Sequence, residues 1–504
     1  MDDQLNWRVV ITVIRKNKSW VTHLIPSMIP SMLLAMVLFI PCSLASDYTL
    51  SGSFIVKPYL QIGNTPLSTN PETLILMWHA RDLDLPWSVE IRTRGGDDWL
   101  PVEQVSWKRI AVPTIEPHRV YRALLKPLEP GMKFEYRVLE GNQPVFSATG
   151  QARKPPGQPC RVIVFADAAH GTLAQRALAY QIFRKKPDLI VIPGDIVYQF
   201  GRIAEYRKYF FPIYNADTAS PEVGAPLMRS VPFIAGLGAH DVQENILYEE
   251  VPDGFAYYMY WTLPMNGPDL KFGDHNTLNF RGGIQQRQSL IEAIQPGYPR
   301  MATYSLDYGN THWSIIDTND YVDWKDPVMR DWLSKDLKNT NDSNWKFIGC
   351  YAPGFQSGRS HLNMQKMRIA ADIFEKGGAD IVFHGCNHDY ERTMPLKFRP
   401  TRISESKIKM TYQAVVEGEY ILDKTFDGRT QTKPDGVIYI TTGAGGASLQ
   451  NPEQTGRPET WQPFCAQFIG DQFSFTLLDI TDTRLIMRQI SETGKELDRI
   501  IIDR

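Results

Sequence analysis

The sequence predicts an α/β protein preceded by an all-β sandwich. Three observations predict it: short strands set between turn residues up to about Lys154, a proline-rich break at Pro155-Pro156-Gly157-Gln158-Pro159, and strand, helix and strand in succession beyond the break. In the first part the strands are Thr73-Leu74-Ile75-Leu76-Met77-Trp78, Ser88-Val89-Glu90-Ile91-Arg92 and Lys133-Phe134-Glu135-Tyr136-Arg137-Val138. Short strands at this spacing suggest a sandwich of about 100 residues, placed at 53–154.

Residues 155–160 read as a linker and 161–504 as the larger domain. Residues 161–166 form a buried-strand run, 172–184 have helical spacing, and 188–193 are a second buried strand. Strand, helix and strand within roughly 35 residues imply a right-handed crossover and a parallel pair. Further apolar strands run at 232–235, 345–350 and 380–384, while 216–230 and 264–299 read as loops or insertions.

Composition narrows the function. A chain of 504 residues, 43% of them hydrophobic, can bury a large core. Lys and Arg total 54 against 56 Asp and Glu, so no basic surplus points to nucleic acid, and phosphate chemistry must rest on a local site. At the N-terminus Arg8, Arg15, Lys16 and Lys18 precede an apolar run over 28–44 that ends in Ser43-Leu44-Ala45. Charge, then apolar residues, then small ones is the order of a signal peptide cut near Ala45, with Met28 or Met32 as alternative starts. Residues 1–46 are therefore expected to be a signal peptide or an N-terminal anchor. The protein is expected to be exported, periplasmic or secreted, touching a membrane only through an uncleaved leader. Beyond the leader stand Cys160, Cys350, Cys386 and Cys465, which permit disulfides without requiring them.

In an open α/β sheet, ligands gather outside the carboxyl ends of the strands, where loops converge on a rigid base. Five strand ends here carry Asp167; Asp195 with Tyr198; His240 with Asp241; Tyr351; and His388. Each alone reads as a turn or cap residue, but the five in order read as a metal site. His170 and His384 are nearby candidates whose ordinary reading, a loop or core histidine, is preferred. Asp389-Tyr390-Glu391-Arg392 reads as structural, and Gly443 to Gly446 as a tight turn at the rim.

This order resembles the purple acid phosphatases, within the calcineurin-like metallophosphoesterases. The resemblance is carried by Ala166-Asp167, Gly194-Asp195-Ile196-Val197-Tyr198, Gly238-Ala239-His240-Asp241, Tyr351-Ala352-Pro353-Gly354-Phe355 and Gly385-Cys386-Asn387-His388-Asp389-Tyr390-Glu391-Arg392. Outside the site it extends to Tyr304-Ser305-Leu306-Asp307-Tyr308-Gly309-Asn310-Thr311-His312 and to Trp332-Leu333-Ser334-Lys335-Asp336-Leu337. It implies a sandwich of mixed β-sheets flanked by helices. Leu125 to Met132 with the strand after it resembles the end of a fibronectin type III-like module, which precedes the catalytic domain in many such phosphatases.

The resemblance implies two metals about 3.5–4 Å apart, bridged by one Asp. The ferric ion's ligands correspond to Asp167, Asp195, Tyr198 and His388, all present, and hard carboxylate and phenolate oxygens suit a trivalent ion. The private ligands of the second metal correspond to Ala239, Tyr351 and Cys386, all three replaced. Only a softer metal would accept the phenolate and thiolate that Tyr351 and Cys386 offer. One iron is therefore expected and the second divalent metal is doubtful. His240 stands where the family places a histidine that contacts the substrate phosphate or protonates the leaving group. The implied activity is hydrolysis of a small-molecule phosphate ester, with Asp195 and His240 as catalytic residues. Two other readings stay open: a catalytically impaired binding protein on the same fold, and a mononuclear iron enzyme with non-hydrolytic chemistry.

Overall fold

The computed structural model describes residues 53–242, 248–341, 344–403 and 414–504; the expected leader at 1–46 lies outside the described residues. The N-terminal part is two four-stranded antiparallel sheets. The first runs in the order Val56–Gln61, Glu72–Arg81, His118–Leu128, Val105–Ile110, and the second Leu100–Pro101, Trp87–Thr93, Lys133–Glu140, Gln143–Gln151. Buried and exposed residues alternate along Lys133–Glu140, as a half-buried strand requires. The sheets close on aromatic rings: Trp78 of the first lies 5.9 Å from Trp87 of the second and stacks on Tyr121 at 5.2 Å.

Two mixed sheets build the larger part. The six-stranded sheet is ordered Phe233–Ala235, Leu189–Ile192, Cys160–Val164, Ser474–Ile480, Arg484–Ser491, Glu496–Asp503. Its first three strands are parallel, and the rest join antiparallel. In the seven-stranded sheet Thr311–Ile316, Trp345–Cys350, Ile381–His384 and Ile438–Thr442 are parallel neighbours. All four residues of Leu189–Ile192 and all six of Trp345–Cys350 are buried, the continuous apolar run of a strand covered on both faces. The sheets meet at Thr442, whose Oγ1 lies 3.2 Å from the Val164 carbonyl and 3.1 Å from Thr476 Oγ1.

The helix Leu173–Lys185 joins the first two parallel strands. Thr172 caps it by accepting from Gln175 N at 3.1 Å, and Lys186 ends it in the left-handed region.

The two stretches expected as loops hold structure. Residues 216–230 contain most of a hairpin, Asn215–Ser220 with Gly224–Pro226, whose polar strands lack an alternating pattern. Tertiary bonds hold it instead: Arg229 donates to the Asn215 and Ala216 carbonyls. Residues 264–299 contain the helix Ile284–Ile294, which buries only Leu290, Ala293 and Ile294, so its apolar stripe is too short to read as periodic.

Arg153 fastens the two parts together. It pairs with Glu72 at 3.1 Å, both side chains fully buried, and donates to the carbonyls of Thr65 and Asp307 at 2.8 and 3.0 Å. Cys160, Cys350, Cys386 and Cys465 are all free thiols. Among the described residues no helix is long and apolar enough to cross a membrane.

Candidate metal centre

Each expected side chain follows a strand. Asp167 lies beyond Cys160–Val164, Asp195 and Tyr198 beyond Leu189–Ile192, Ala239 and His240 beyond Phe233–Ala235, Tyr351 at the end of Trp345–Cys350, and Cys386 and His388 beyond Ile381–His384. Asp167, Asp195 and Cys386 sit at φ of 55°, 50° and 73°. Three side-chain-bearing residues in that region within one site mark backbone held in place by its surroundings. The approach is close elsewhere too: a Cβ on Gly238 would overlap the Asp195 carboxylate, and one on Gly443 the Asn387 carbonyl and the Asp167 carboxylate.

Tyr198 is the common contact. Its Oη lies 2.9 Å from Asp167 Oδ1, 3.2 Å from Asp195 Oδ2 and 3.1 Å from His388 Nε2, and His388 Nε2 is 3.5 Å from Asp167 Oδ1. Adjacent ligands of an octahedral ion with bonds of about 2.1 Å stand about 3 Å apart, a spacing that the contacts of Tyr198 Oη with the other three donors match. Among the described residues no three or more His, Cys, Asp and Glu side chains are by themselves spaced to hold an ion; the phenol of Tyr198 is the contact that Asp167, Asp195 and His388 share.

The second contacts orient the first. His388 Nδ1 lies 2.6 Å from the Ser448 carbonyl, which makes Nδ1 the donor and turns Nε2 toward the cluster. Asp195 Oδ1 accepts from His240 N at 2.9 Å, and Asp167 Oδ2 from Cys386 N at 3.0 Å. Asp241 is buried and accepts from Ile196 N at 3.1 Å and Gly238 N at 2.9 Å. It ties the two loops together rather than facing a ligand.

Charge in the cluster is set by burial and crowding. Burial, helped by the neighbouring Asp167 carboxylate, pushes Asp195 up to about 6 against the pull of His240. Burial also raises Tyr198 well above the ordinary phenol range, reinforced by both carboxylates. For His388 burial opposes the charge, but the bond to Asp167 and the Ser448 carbonyl prevail and hold it up at about 9. The two buried carboxylates thus concentrate negative charge that favours a cation, with the Tyr198 hydroxyl beside them as a further oxygen donor. Oxygen donors and one imidazole nitrogen fit a hard metal ion.

His240 packs against Tyr198 with the rings tilted by 41° and their centres 4.3 Å apart, and its Nδ1 lies 2.9 Å from the Gln199 carbonyl. His170 meets the same ring edge-on at 5.4 Å, and burial together with His388 and His240 lowers its pKa. His384 stays in the sheet, fully buried, 3.3 Å from Thr441 Oγ1, outside the cluster. In the Asp389 to Arg392 stretch, Arg392 and Tyr390 both bond Asp498 at 2.7 Å and Glu391 binds Ser357.

The three replaced positions lie together. The Cys386 thiol sits against Met364 Sδ at 3.5 Å, and burial raises it well above its usual value although Tyr351 works the other way. Ala239 offers no donor atom, and an ion would have to draw the proton from the Cys386 thiol to be held by it. Ala239 and Tyr351 instead line a cleft of about 890 Å³ with Arg359, His361, Leu362 and Met364. His361 Nδ1 lies 2.7 Å from Asn387 Oδ1, next to His388. Sequence reasoning passes over Arg359 and His361 because they stand on a single 3-10 turn, Arg359–His361, rather than at a strand end; the only signal is their place a few residues after Tyr351.

Residues 160–431 match the family profile described as calcineurin-like phosphoesterase. Two curated relatives from Arabidopsis thaliana align with the chain. "Probable inactive purple acid phosphatase 1" is 22% identical over 69% of this chain and 51% of its own length; "Probable inactive purple acid phosphatase 27" is 23% identical over 60% and 48%. The chain thus spans about half the length of these relatives. Among solved structures, the purple acid phosphatase PPD1 from yellow lupin (Lupinus luteus) seeds superposes with a TM-score of 0.61 at 17% identity, covering 89% of this chain and 74% of that one. PhoD does so with 0.54 at 12% identity, covering 89% and 93%. At such identities the structures speak for the fold. With more than half the sequence inside the family match, the chain belongs to the calcineurin-like phosphoesterases, and it is similar in sequence and fold to purple acid phosphatases.

Proposed function

We propose that this chain is an exported phosphoric ester hydrolase that works with one ferric-type ion held by Asp167, Asp195, Tyr198 and His388. The observation that carries the reading is the convergence of Asp167, Asp195 and His388 on Tyr198 Oη; the residues that correspond to a second ion's ligands, Ala239, Tyr351 and Cys386, are all replaced. When bound, such an ion polarises a phosphoryl oxygen and makes a water molecule more acidic. Asp195 and the other donors fix its position. With Nδ1 engaged by the Gln199 carbonyl, His240 turns Nε2 to a substrate oxygen and supplies the proton to the departing alcohol. The substrate is a small phosphate ester whose leaving group extends into the cleft beside Ala239. Lacking a second cation, the site stabilises less transition-state charge than a two-metal centre, and turnover is correspondingly slow.

The same reading takes 53–154 as a fibronectin type III-like domain, 155–160 as linker and 161–504 as the catalytic domain. Export rests on the charge-then-apolar order of the leader.

A second reading has its own support. Both curated relatives are named as probable inactive phosphatases, and a chain with one ligand set replaced could bind a phosphate ester without cleaving it. Turnover decides between the two. Hydrolysis of a chromogenic phosphomonoester by the purified, iron-loaded chain, reduced at least about 100-fold by Asp195→Ala, supports the hydrolase. Phosphate-ester binding with no turnover above the Asp195→Ala background supports the binding protein.

A further inference from the structure

We propose that a basic cleft between the N-terminal sheets and the larger part is a second anion site, separate from the candidate metal centre, which takes a small multiply charged anion of the oligophosphate class. The cleft has a volume of about 910 Å³, within the range of roughly 300–1,000 Å³ typical of small-molecule sites. Five cations line it: Arg94 and Lys133 from the N-terminal sheets, Lys154 from the connecting segment, and Arg184 and Lys186 at the end of the helix Leu173–Lys185. The single carboxylate in the lining, Asp188, is already engaged, accepting from Lys154 Nζ and from Arg161 N, each at 2.8 Å. In a chain of net charge −2 this is a local concentration, not a share of a general surplus.

Part of that charge has an ordinary explanation. Arg184 sits in the last helical turn and Lys186 caps it, where cations complement the helix dipole. Arg94 and Lys133 have no such reason. Arg94 N donates to the Lys133 carbonyl at 3.0 Å, which sets two like charges side by side on neighbouring segments, an arrangement that weakens a sheet. Among the described residues neither forms an ion pair. Both side chains are exposed, and an anion bound between them would offset their repulsion. Buried Leu227, Pro187 and Gly150 and half-buried Ser230 line its floor, and exposed Thr149 and Phe183 stand at its rim.

Two arginines select phosphate chemistry, since the guanidinium fork meets phosphate oxygens in pairs, while lysines add point charge. A short phosphate chain carries about one negative charge per phosphate and matches several cations at once in a volume that a folded acidic partner could not enter. The cleft lies away from the metal centre: Asp188 precedes and Asp195 follows the same strand, Leu189–Ile192, which separates them by roughly 15–20 Å. Because its walls come from both parts of the chain, an anion here clamps them together and raises the unfolding temperature.

The test is calorimetric titration of the full chain with tripolyphosphate, in the unaltered protein and in Asp195→Ala, whose metal centre is disabled. Both should bind equally, and Arg94→Glu combined with Lys133→Glu should weaken binding at least about tenfold without changing phosphomonoester turnover. The milder Arg94→Gln with Lys133→Gln, at exposed positions, gives the same answer if charge reversal disturbs folding. Three results each overturn the proposal: no binding to the unaltered chain, binding lost in Asp195→Ala but kept in the cleft variants, or a hexa-aspartate peptide bound as tightly as tripolyphosphate.

Discussion

Tyr198 organises the site because one phenol oxygen touches two carboxylates and an imidazole, all from different strand ends. Losing that one contact would leave Asp167 and Asp195 facing each other across a buried gap. A different histidine shows how burial and charge are balanced elsewhere. His312 lies between Asp307 at 2.7 Å and Asp336 at 3.1 Å. Burial opposes its charge, but bonds to the two carboxylates raise it from 6.5 to about 9. A group whose folded value is raised stabilises fully below its unfolded value and loses that effect as pH climbs through the folded one. His312 should thus contribute about 2–3 kcal/mol below pH 6.5, fading between 6.5 and about 9. Urea unfolding of the unaltered chain and of His312→Gln at pH 6 and 9.5 checks it. The gap between the two proteins should narrow at the higher pH, and a pH-independent gap would contradict the assignment.

At the scale of elements, most of the scaffold was legible. Buried runs such as Leu189-Ile190-Val191-Ile192 identify themselves by composition, and the site residues follow them at once, so strand ends located Asp167, Asp195, Tyr198 and His388 together. What stayed hidden depends on tertiary bonds. The hairpin Asn215–Ser220 with Gly224–Pro226 is held by Arg229, and Arg359 and His361 reach the cleft on a three-residue 3-10 turn, so neither leaves a period in the sequence. Nor does sequence give any sign that Arg153 and Glu72, 81 positions apart, form a buried pair. That pair joins the connecting segment to a strand of the N-terminal sheets. Arg153→Met leaves the Glu72 carboxylate buried and uncompensated, and should cost about 3–5 kcal/mol in denaturant unfolding. A loss under about 1 kcal/mol would mean that solvent or another cation replaces it.

Across the whole molecule, chemistry is divided between two ends of the same parallel strands: the donor cluster at the carboxyl ends and the basic cleft at the other. The fold is that of the calcineurin-like phosphoesterases; under the proposed function the residues present would hold one ion, with Ala239, Tyr351 and Cys386 at the positions expected of a second ion's ligands. The most direct test is the metal count of the purified full chain after loading with ferric iron and zinc together. About one iron per chain, with a visible tyrosinate band that Tyr198→Phe removes, is the predicted result. About two ions per chain, with the second retained through dialysis and lost in Cys386→Ala, would contradict a single-metal centre.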